Sequence, residues 1–217
     1  MSFIDSLFSK QKKQIKTSES KSRYGGIIAY LGLDDFWDSC NSQEQADLIR
    51  YCKSGLTTGS VESPIEGNIN SSSESVHSFL SSMLTWANSE KNYSLAEKII
   101  QYAHKTSYSN VLSYHFFLQT TADNYYKQKD IIPEALDKVI EFCKEDIALF
   151  PHISNEMIKK YGSVPRISTF QTLAMAYEKK QMYSEAIDVC QLALNYGQQD
   201  TTKGGYDGRI ERLKKKL

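Results

Sequence analysis

The chain has 217 residues, 40% of them hydrophobic, which suits one extended domain or one domain with a small annex. Its 26 basic and 26 acidic residues balance, so the net charge gives no indication of a nucleic-acid or strongly acidic partner. No apolar run approaches the roughly 20 residues that cross a bilayer. The N-terminus also lacks the apolar core and cleavage site of a secretory signal. We therefore expect a cytoplasmic protein.

The N-terminal segment, residues 1–22, reads as a basic tail with a short apolar stripe. On a helix, such a stripe followed by positive charge could lie on an anionic membrane surface. The alternative is that it docks on the body of the protein or stays a solvated tail. Residue 2 is serine, so N-myristoylation does not add a lipid chain. The residues concerned are Phe3, Ile4, Leu7 and Phe8, followed by Lys10, Lys12, Lys13 and Lys16.

Residues 23–53 are predicted to form a small helical annex. Asn41 with Glu44, or Ser42 with Gln45, offers a helix N-cap and its capping-box partner. The adjacent aromatic residues Phe36 and Trp37 are large enough to anchor the annex on its neighbours. An aromatic pair could also hold a ligand, but core packing is the favoured interpretation. Residues 54–74 are rich in serine and glycine and read as a linker.

Residues 75–197 alternate between amphipathic helical patterns and short polar turns, as in a series of helical hairpins. In the first hairpin, Ser94 and Glu97 are predicted to form a capping box. Between the second and third hairpins, the segment after Ser154 is predicted to add one helical turn that Gly162 stops. Residues 198–217 are predicted to form a glycine-rich turn and a basic amphipathic helix.

The first and third hairpins share one spacing in their second helices. Their matching positions are Tyr93, Ala96, Ile100 and Ala103 in the first, and Tyr183, Ala186, Cys190 and Ala193 in the third. Small residues are placed where two antiparallel helices would approach most closely. This spacing indicates an internal repeat.

The third hairpin resembles a tetratricopeptide repeat (TPR), a helix–turn–helix unit of about 34 residues. Cys190 stands where the family usually has a large aromatic residue, and Gln198 where proline is common. The resemblance implies an all-α fold of about three TPR-like hairpins stacked as a short solenoid, with the C-terminal helix as a cap. The positions that match the family pattern, counted from Ile167, are Phe170, Leu173, Ala174, Tyr177, Tyr183, Ala186 and Ala193.

The same resemblance implies a concave groove, lined by first helices, that binds a peptide or a helix of another protein. The lysine and asparagine set with which some TPRs clamp a C-terminal carboxylate is missing. For two of the predicted groove residues, Phe116 and Tyr126, burial between hairpins is an equally good interpretation. The groove positions would be Phe116, Gln119, Asp123 and Tyr126 in the middle hairpin, and Ser168, Gln171, Met175 and Glu178 in the last.

No local motif in the sequence indicates catalysis. Gly204, Gly205 and Gly208 lack the strand and the Gly-Lys-Ser/Thr step of a phosphate-binding loop. The histidines and the four cysteines form no zinc spacing, and buried reduced thiols are expected. We therefore expect a non-catalytic scaffold without cofactor or metal. The second hypothesis is a peripheral membrane adaptor, and nucleic-acid binding through the lysine-rich ends is the third.

The membrane reading is tested by deleting residues 1–22. If they are a tail, the melting temperature and the helical circular dichroism per residue should stay nearly unchanged. Sedimentation with anionic vesicles, compared between parent and deletion, then measures membrane binding. Equal sedimentation of the two proteins would remove the membrane-adaptor reading.

Overall fold

The computed structural model describes residues 22–54 and 63–217. Every regular element in those two ranges is a helix, which confirms the expected all-α class. The elements are α1 (Gly26–Leu31), α2 (Asp34–Ser39), α3 (Ser42–Ser54), α4 (Val76–Ser89), α5 (Tyr93–Lys105), α6 (Val111–Lys127), α7 (Ala135–Ala148), α8 (Phe150–Tyr161), α9 (Ser168–Lys179), α10 (Tyr183–Asn195) and α11 (Gly205–Lys214).

The described residues divide into two compact units. The first, called the N-terminal unit, ends at Phe117, and the second, called the C-terminal unit, runs from Leu118 to Leu217. The division falls within α6, which contributes residues to both units. The predicted tail, apart from Ser22, lies outside the described residues.

Part of the predicted linker is tied to the start of α1 by backbone hydrogen bonds. Gly25 N–H donates to the Ile65 carbonyl at 2.8 Å, and Gly26 N–H donates to the Gly67 carbonyl at 2.7 Å. Gly26 has a φ of +59°, and a Cβ there would lie 2.6 Å from the Pro64 carbonyl oxygen. Only glycine accommodates both the conformation and the close approach. Residues 63–67 of the 54–74 segment therefore form a packed strap.

The annex residues pack as the sequence indicates. Phe36 is fully buried, with its ring centroid 5.1 Å from that of Tyr102 on α5. The Asn41 side chain accepts from the Glu44 N–H at 2.9 Å, and the Glu44 carboxylate accepts from the Asn41 N–H at 2.8 Å. Of the two predicted caps, the Asn41–Glu44 box is therefore the one formed. Ser22 also contacts Asp34 through a 2.7 Å hydrogen bond, so the tail deletion should stop at residue 21.

The predicted Ser94–Glu97 capping box is wrong. α5 begins at Tyr93, and its N-cap is Asn92, whose side chain accepts from the Leu95 N–H at 3.3 Å. Ser94 is therefore already inside the first turn. Both asparagine and serine are favourable N-cap residues, and the position of the turn before α5 makes Asn92 the cap.

The turns before α5 and α10 have the same backbone structure. Lys91 and Gln181, at equivalent positions, both have a φ of +59°. The next residue donates its N–H back across the turn in both cases: Asn92 to the Ala87 carbonyl at 2.8 Å and Met182 to the Tyr177 carbonyl at 2.9 Å. Non-glycine residues rarely adopt a positive φ, so its occurrence at the same position of both turns is an uncommon shared feature. The internal repeat seen in the sequence thus extends to turn geometry.

The expected extra turn after the second hairpin is a complete helix, α8. It begins at Phe150 because the preceding Leu149 keeps helical angles and Pro151 lies in the first turn, where its missing N–H costs nothing. Phe150 packs against Phe170 and Tyr196, with ring centroids 5.3 and 4.4 Å apart. The predicted stop is confirmed, since Gly162 ends α8 with a φ of +78°.

In the C-terminal unit, α9 packs against α7 and α10, and α10 packs against α11. The α11 helix buries Tyr206 and Leu213. Gln198 precedes it and is also buried, and its side-chain oxygen accepts from the Ile167 N–H at 2.7 Å. This bond gives the non-proline residue at 198 a structural role, because it satisfies a free N–H at the start of α9.

Tryptophan at Ala96 or Ala186 should overpack a hairpin. Both alanines are completely buried in the first turn of a second helix. Each substitution is expected to lower the free energy of unfolding by about 1–3 kcal/mol or more. The measurement is a thermal or urea melt.

Gln101→Trp and Gln191→Trp are the matched controls, because both glutamines are exposed on the same two helices. Melts of the alanine variants that coincide with the parent would contradict the close approach of the helices.

Candidate functional site

The first helices α6 and α9 run parallel within the C-terminal unit. Near their beginnings, Gln119 Nε2 donates to Thr169 Oγ1 at 3.1 Å. Thr169 in turn donates to the carboxylate of Asp146, which is buried on α7. Near their ends, Tyr126 lies within electrostatic range of Glu178. Contacts that progress in the same direction along both helices require a parallel arrangement.

The predicted groove residues differ in accessibility. Asp123 and Ser168 are exposed, whereas Gln119, Tyr126, Gln171, Met175 and Glu178 are half-buried. Phe116 is 44% exposed and belongs to the N-terminal unit, so it is considered apart from the others. Neither Phe116 nor Tyr126 is fully buried: Phe116 is exposed, and Tyr126 is half-buried.

Tyr126 is held between charged groups. The ammonium of Lys129 lies 4.7 Å from the centroid of its ring, a cation–π distance. Burial raises the pKa of Tyr126, although the Arg209 guanidinium opposes this shift. Asp123, one turn earlier on α6, is paired with Lys127 at 2.7 Å. The phenol is thus neutral at physiological pH and keeps part of its ring accessible.

Two groove positions, Gln171 and Glu178, are bound by the C-terminal segment, residues 198–217. Gln171 Nε2 donates to the Thr201 hydroxyl at 3.1 Å. Glu178 accepts from Arg209 at 3.0 Å and from Lys216 at 2.8 Å. All three partners belong to the C-terminal segment. That segment therefore borders the predicted groove as well as covering α10.

An ion cluster with a buried core holds the C-terminal segment in place. Arg209 Nε donates at 2.5 Å to Asp200, whose side chain is completely buried, and the Thr202 N–H donates to the same carboxylate at 2.8 Å. Burial alone would raise the pKa of Asp200, but these hydrogen bonds outweigh it and lower that pKa. Glu178 follows the same pattern, with its pKa lowered by Lys216 and Arg209.

Sequence reasoning missed this cluster. Its one sequence signal is that Arg209 shares helical spacing with Tyr206 and Leu213, both buried. A charged residue on an apolar stripe needs a buried partner. The sequence does not indicate that Asp200 and Glu178 are those partners.

The thiols and the metal-ligating residues offer little for catalysis. Burial raises the pKa of Cys40 to about 11 and the pKa values of Cys52 and Cys190 to about 12. Burial also raises the pKa of Cys143 well above its usual range. A protonated, buried thiol is a poor nucleophile. Within residues 22–54 and 63–217, no group of three or more His, Cys, Asp or Glu side chains is placed to hold a metal ion.

The predicted membrane segment, residues 3–16, lies outside the described residues. In the part of the chain that the structure covers, no helix has the length and apolar character needed to span a bilayer.

Comparison with known proteins gives one informative similarity. A protein of Aquifex aeolicus (strain VF5), described as uncharacterized, is 25% identical over 200 residues, which is 89% of this chain and 94% of that protein. No family model matches the chain, and no solved structure matches it. The similarity therefore extends over both units, and it assigns no activity to this chain.

Removing the buried cation should destabilise the protein. Arg209→Met leaves the Asp200 carboxylate buried beside an apolar group and is expected to cost about 3–5 kcal/mol at pH 7, measured by urea denaturation. The acid response should change as well. In the parent, the depressed pKa values of Asp200 and Glu178 stabilise the fold above the ordinary carboxyl pKa, and this contribution is lost as pH falls below about 4.

In Arg209→Met the pKa of Asp200 should instead be raised, so that moderate acidification reduces the difference in stability from the parent. Adding Asp200→Asn should recover part of the loss, because it removes the unpaired charge. Lys127→Met is the exposed-pair control and should cost much less. Equal losses for Arg209→Met and Lys127→Met would contradict the assigned role of the cluster.

Proposed function

We propose that this protein is a non-catalytic interaction module that binds a peptide or helix of another protein on the face formed by α6 and α9 in the C-terminal unit. The observation that carries the proposal is the parallel alignment of these helices, supported by the Gln119–Thr169 hydrogen bond near their beginnings and the proximity of Tyr126 to Glu178 near their ends. Two parallel helices leave a shallow channel between them. An extended peptide or an amphipathic helix fits such a surface.

The repeat features favour a TPR-like arrangement of the hairpins. The turns before α5 and α10 share their backbone angles and hydrogen bonds, and α11 packs on α10 where a capping helix would lie. In TPR-like arrays the first helices line the concave surface. We therefore propose that the α6–α9 face is the concave surface of this array.

Hydrogen bonds within the chain exclude Gln171 and Glu178 from the proposed binding surface. Their side chains are bound by the C-terminal segment. Gln119 is bonded to Thr169 and Asp123 is paired with Lys127, which leaves Tyr126 and Met175 with Ser168 for a partner. Tyrosine supplies a large contact area with few rotatable bonds, and methionine adapts to irregular apolar surfaces. Tyr126 and Met175 are thus the proposed anchors.

The double variant Tyr126→Ala/Met175→Ala tests the face. It should fold and lose the protein that the parent retains in a pull-down from its host, since the loss of one anchor can weaken binding by roughly 2 kcal/mol or more. The control is Ile158→Ala/Tyr161→Ala, which removes exposed apolar area of similar size from α8. Thermal melts of both variants accompany the binding measurement.

A folded double variant that keeps every partner would place the binding site elsewhere on the molecule. A double variant that unfolds would show that Tyr126 and Met175 serve the core. In that case Ser168→Trp, which adds bulk at an exposed position of the same face, is the second probe. Binding that survives Ser168→Trp would also reject the face.

A further inference from the structure

The C-terminal ends of α6, α9 and α11 gather at one edge of the C-terminal unit. α11 follows the direction of α9, because Tyr206 in its first turn lies within electrostatic range of Arg166, just before α9, while Lys216 contacts Glu178 near the end of α9. α6 is parallel to α9 on the evidence of Gln119 and Tyr126. The last turns of three helices therefore face the same side.

This edge is rich in lysine. Four of its lysines have carboxylate partners: Lys127 with Asp123, Lys129 with Asp130, Lys180 with Asp137, and Lys216 with Glu178. The other three are exposed and form no ion pair with any residue in 22–54 or 63–217. We call the whole set the lysine edge: Lys127, Lys129, Lys179, Lys180, Lys214, Lys215 and Lys216.

The three unpaired lysines place positive charge at one end of the α6–α9 face. Lys179 directly follows Glu178 in α9, and Lys214 and Lys215 directly precede Lys216, which is bound to Glu178. Tyr126 lies within electrostatic range of the same Glu178, so the exposed lysines belong to the helix ends at this part of the face. The ion pairs at the edge already neutralise the nearby carboxylates of Asp123, Asp130 and Glu178. The remaining positive charge therefore faces solvent at this end and is available to an incoming anionic group.

We propose that the lysine edge binds an acidic stretch of the same partner segment that lies on the α6–α9 face. This inference rests on the proposed function and adds the chemistry of the partner. Charge complementarity at the rim of an interface fixes orientation and speeds association. The partner segment thus carries Asp or Glu residues beside the part that contacts Tyr126 and Met175.

An acidic protein segment suits this surface better than a nucleic acid. Proteins that bind DNA commonly neutralise about six to ten phosphates along an extended track. Here the unpaired charge consists of three lysines on one short edge, and the chain as a whole has a formal net charge of zero. The adjoining anchors, tyrosine and methionine, also suit the mixed side chains of a peptide.

Lysine near a helix C-terminus also stabilises the helix dipole, so the test uses lysines from other helix ends as its control. The charge-reversal variant is Lys179→Glu/Lys214→Glu/Lys215→Glu. The control is Lys53→Glu/Lys105→Glu/Lys160→Glu, which reverses three exposed lysines in the last turns of α3, α5 and α8. Both variants change the net charge equally.

The full-length parent and both variants are each used to select binders from a displayed library of random linear peptides. The parent and the control should select peptides enriched in Asp and Glu, whereas the charge-reversal variant should select peptides enriched in Lys and Arg. A selected acidic peptide should bind the charge-reversal variant about tenfold more weakly at low salt, with a smaller difference at high salt. Thermal melts verify that both variants fold.

The outcomes separate the two proposals. Peptides that need Tyr126 and Met175 but show no acidic enrichment, or ignore the charge reversal, would overturn the lysine edge and leave the α6–α9 face intact. Peptides that bind independently of Tyr126 and Met175, or no selected peptides at all, would overturn the proposed function as well. Parent binding to a single-stranded oligonucleotide or to anionic vesicles through these lysines, without acidic peptides, would also reject the acidic-segment assignment. If the charge-reversal variant fails to fold, Lys→Gln at the same positions replaces it, and unchanged affinity for the acidic peptide rejects the proposal.

Discussion

The fold depends on close packing at the alanines near the beginnings of the second helices. Ala96, Ala135 and Ala186 begin or nearly begin α5, α7 and α10, and all three are completely buried. A larger side chain at any of them would push neighbouring helices apart, since protein interiors are close-packed. The buried side of each first helix packs against the second helices, and this packing determines which way its exposed residues point. The proposed α6–α9 face is therefore set by packing on the opposite side of the same helices.

The fold class and most helices were predictable because their signals are local. Apolar stripes recur at helical spacing, and the Asn41–Glu44 box closes within four residues of sequence. The errors arose where two local solutions competed. Asn92 and Ser94 both suit a cap, and the left-handed turn at Lys91 fixed the start of α5. At α8, Leu149 kept helical angles, so the helix began before the predicted extra turn.

The site was less predictable because its decisive contacts join residues distant in sequence. The resemblance to TPRs selected α6 and α9 positions by register, and the structure shows which of them have intrachain partners. Arg209 reaches Asp200 and Glu178, and no periodic pattern in the sequence connects the three. The strap at residues 63–67 was hidden for a similar reason. Its hydrogen bonds use backbone atoms, which side-chain patterns do not report.

The C-terminal segment behaves as a fixed border of the face because of what it buries. Releasing α11 would expose Tyr206 and Leu213 and would separate Arg209 from a completely buried Asp200 carboxylate. Breaking a buried ion pair is more costly than breaking an exposed one. Under the proposed function, Gln171 and Glu178 therefore keep their bonds to the C-terminal segment when a partner binds. In the same proposal, the affinity for a partner comes from Tyr126 and Met175, and the orientation of the partner comes from the unpaired lysines of the lysine edge.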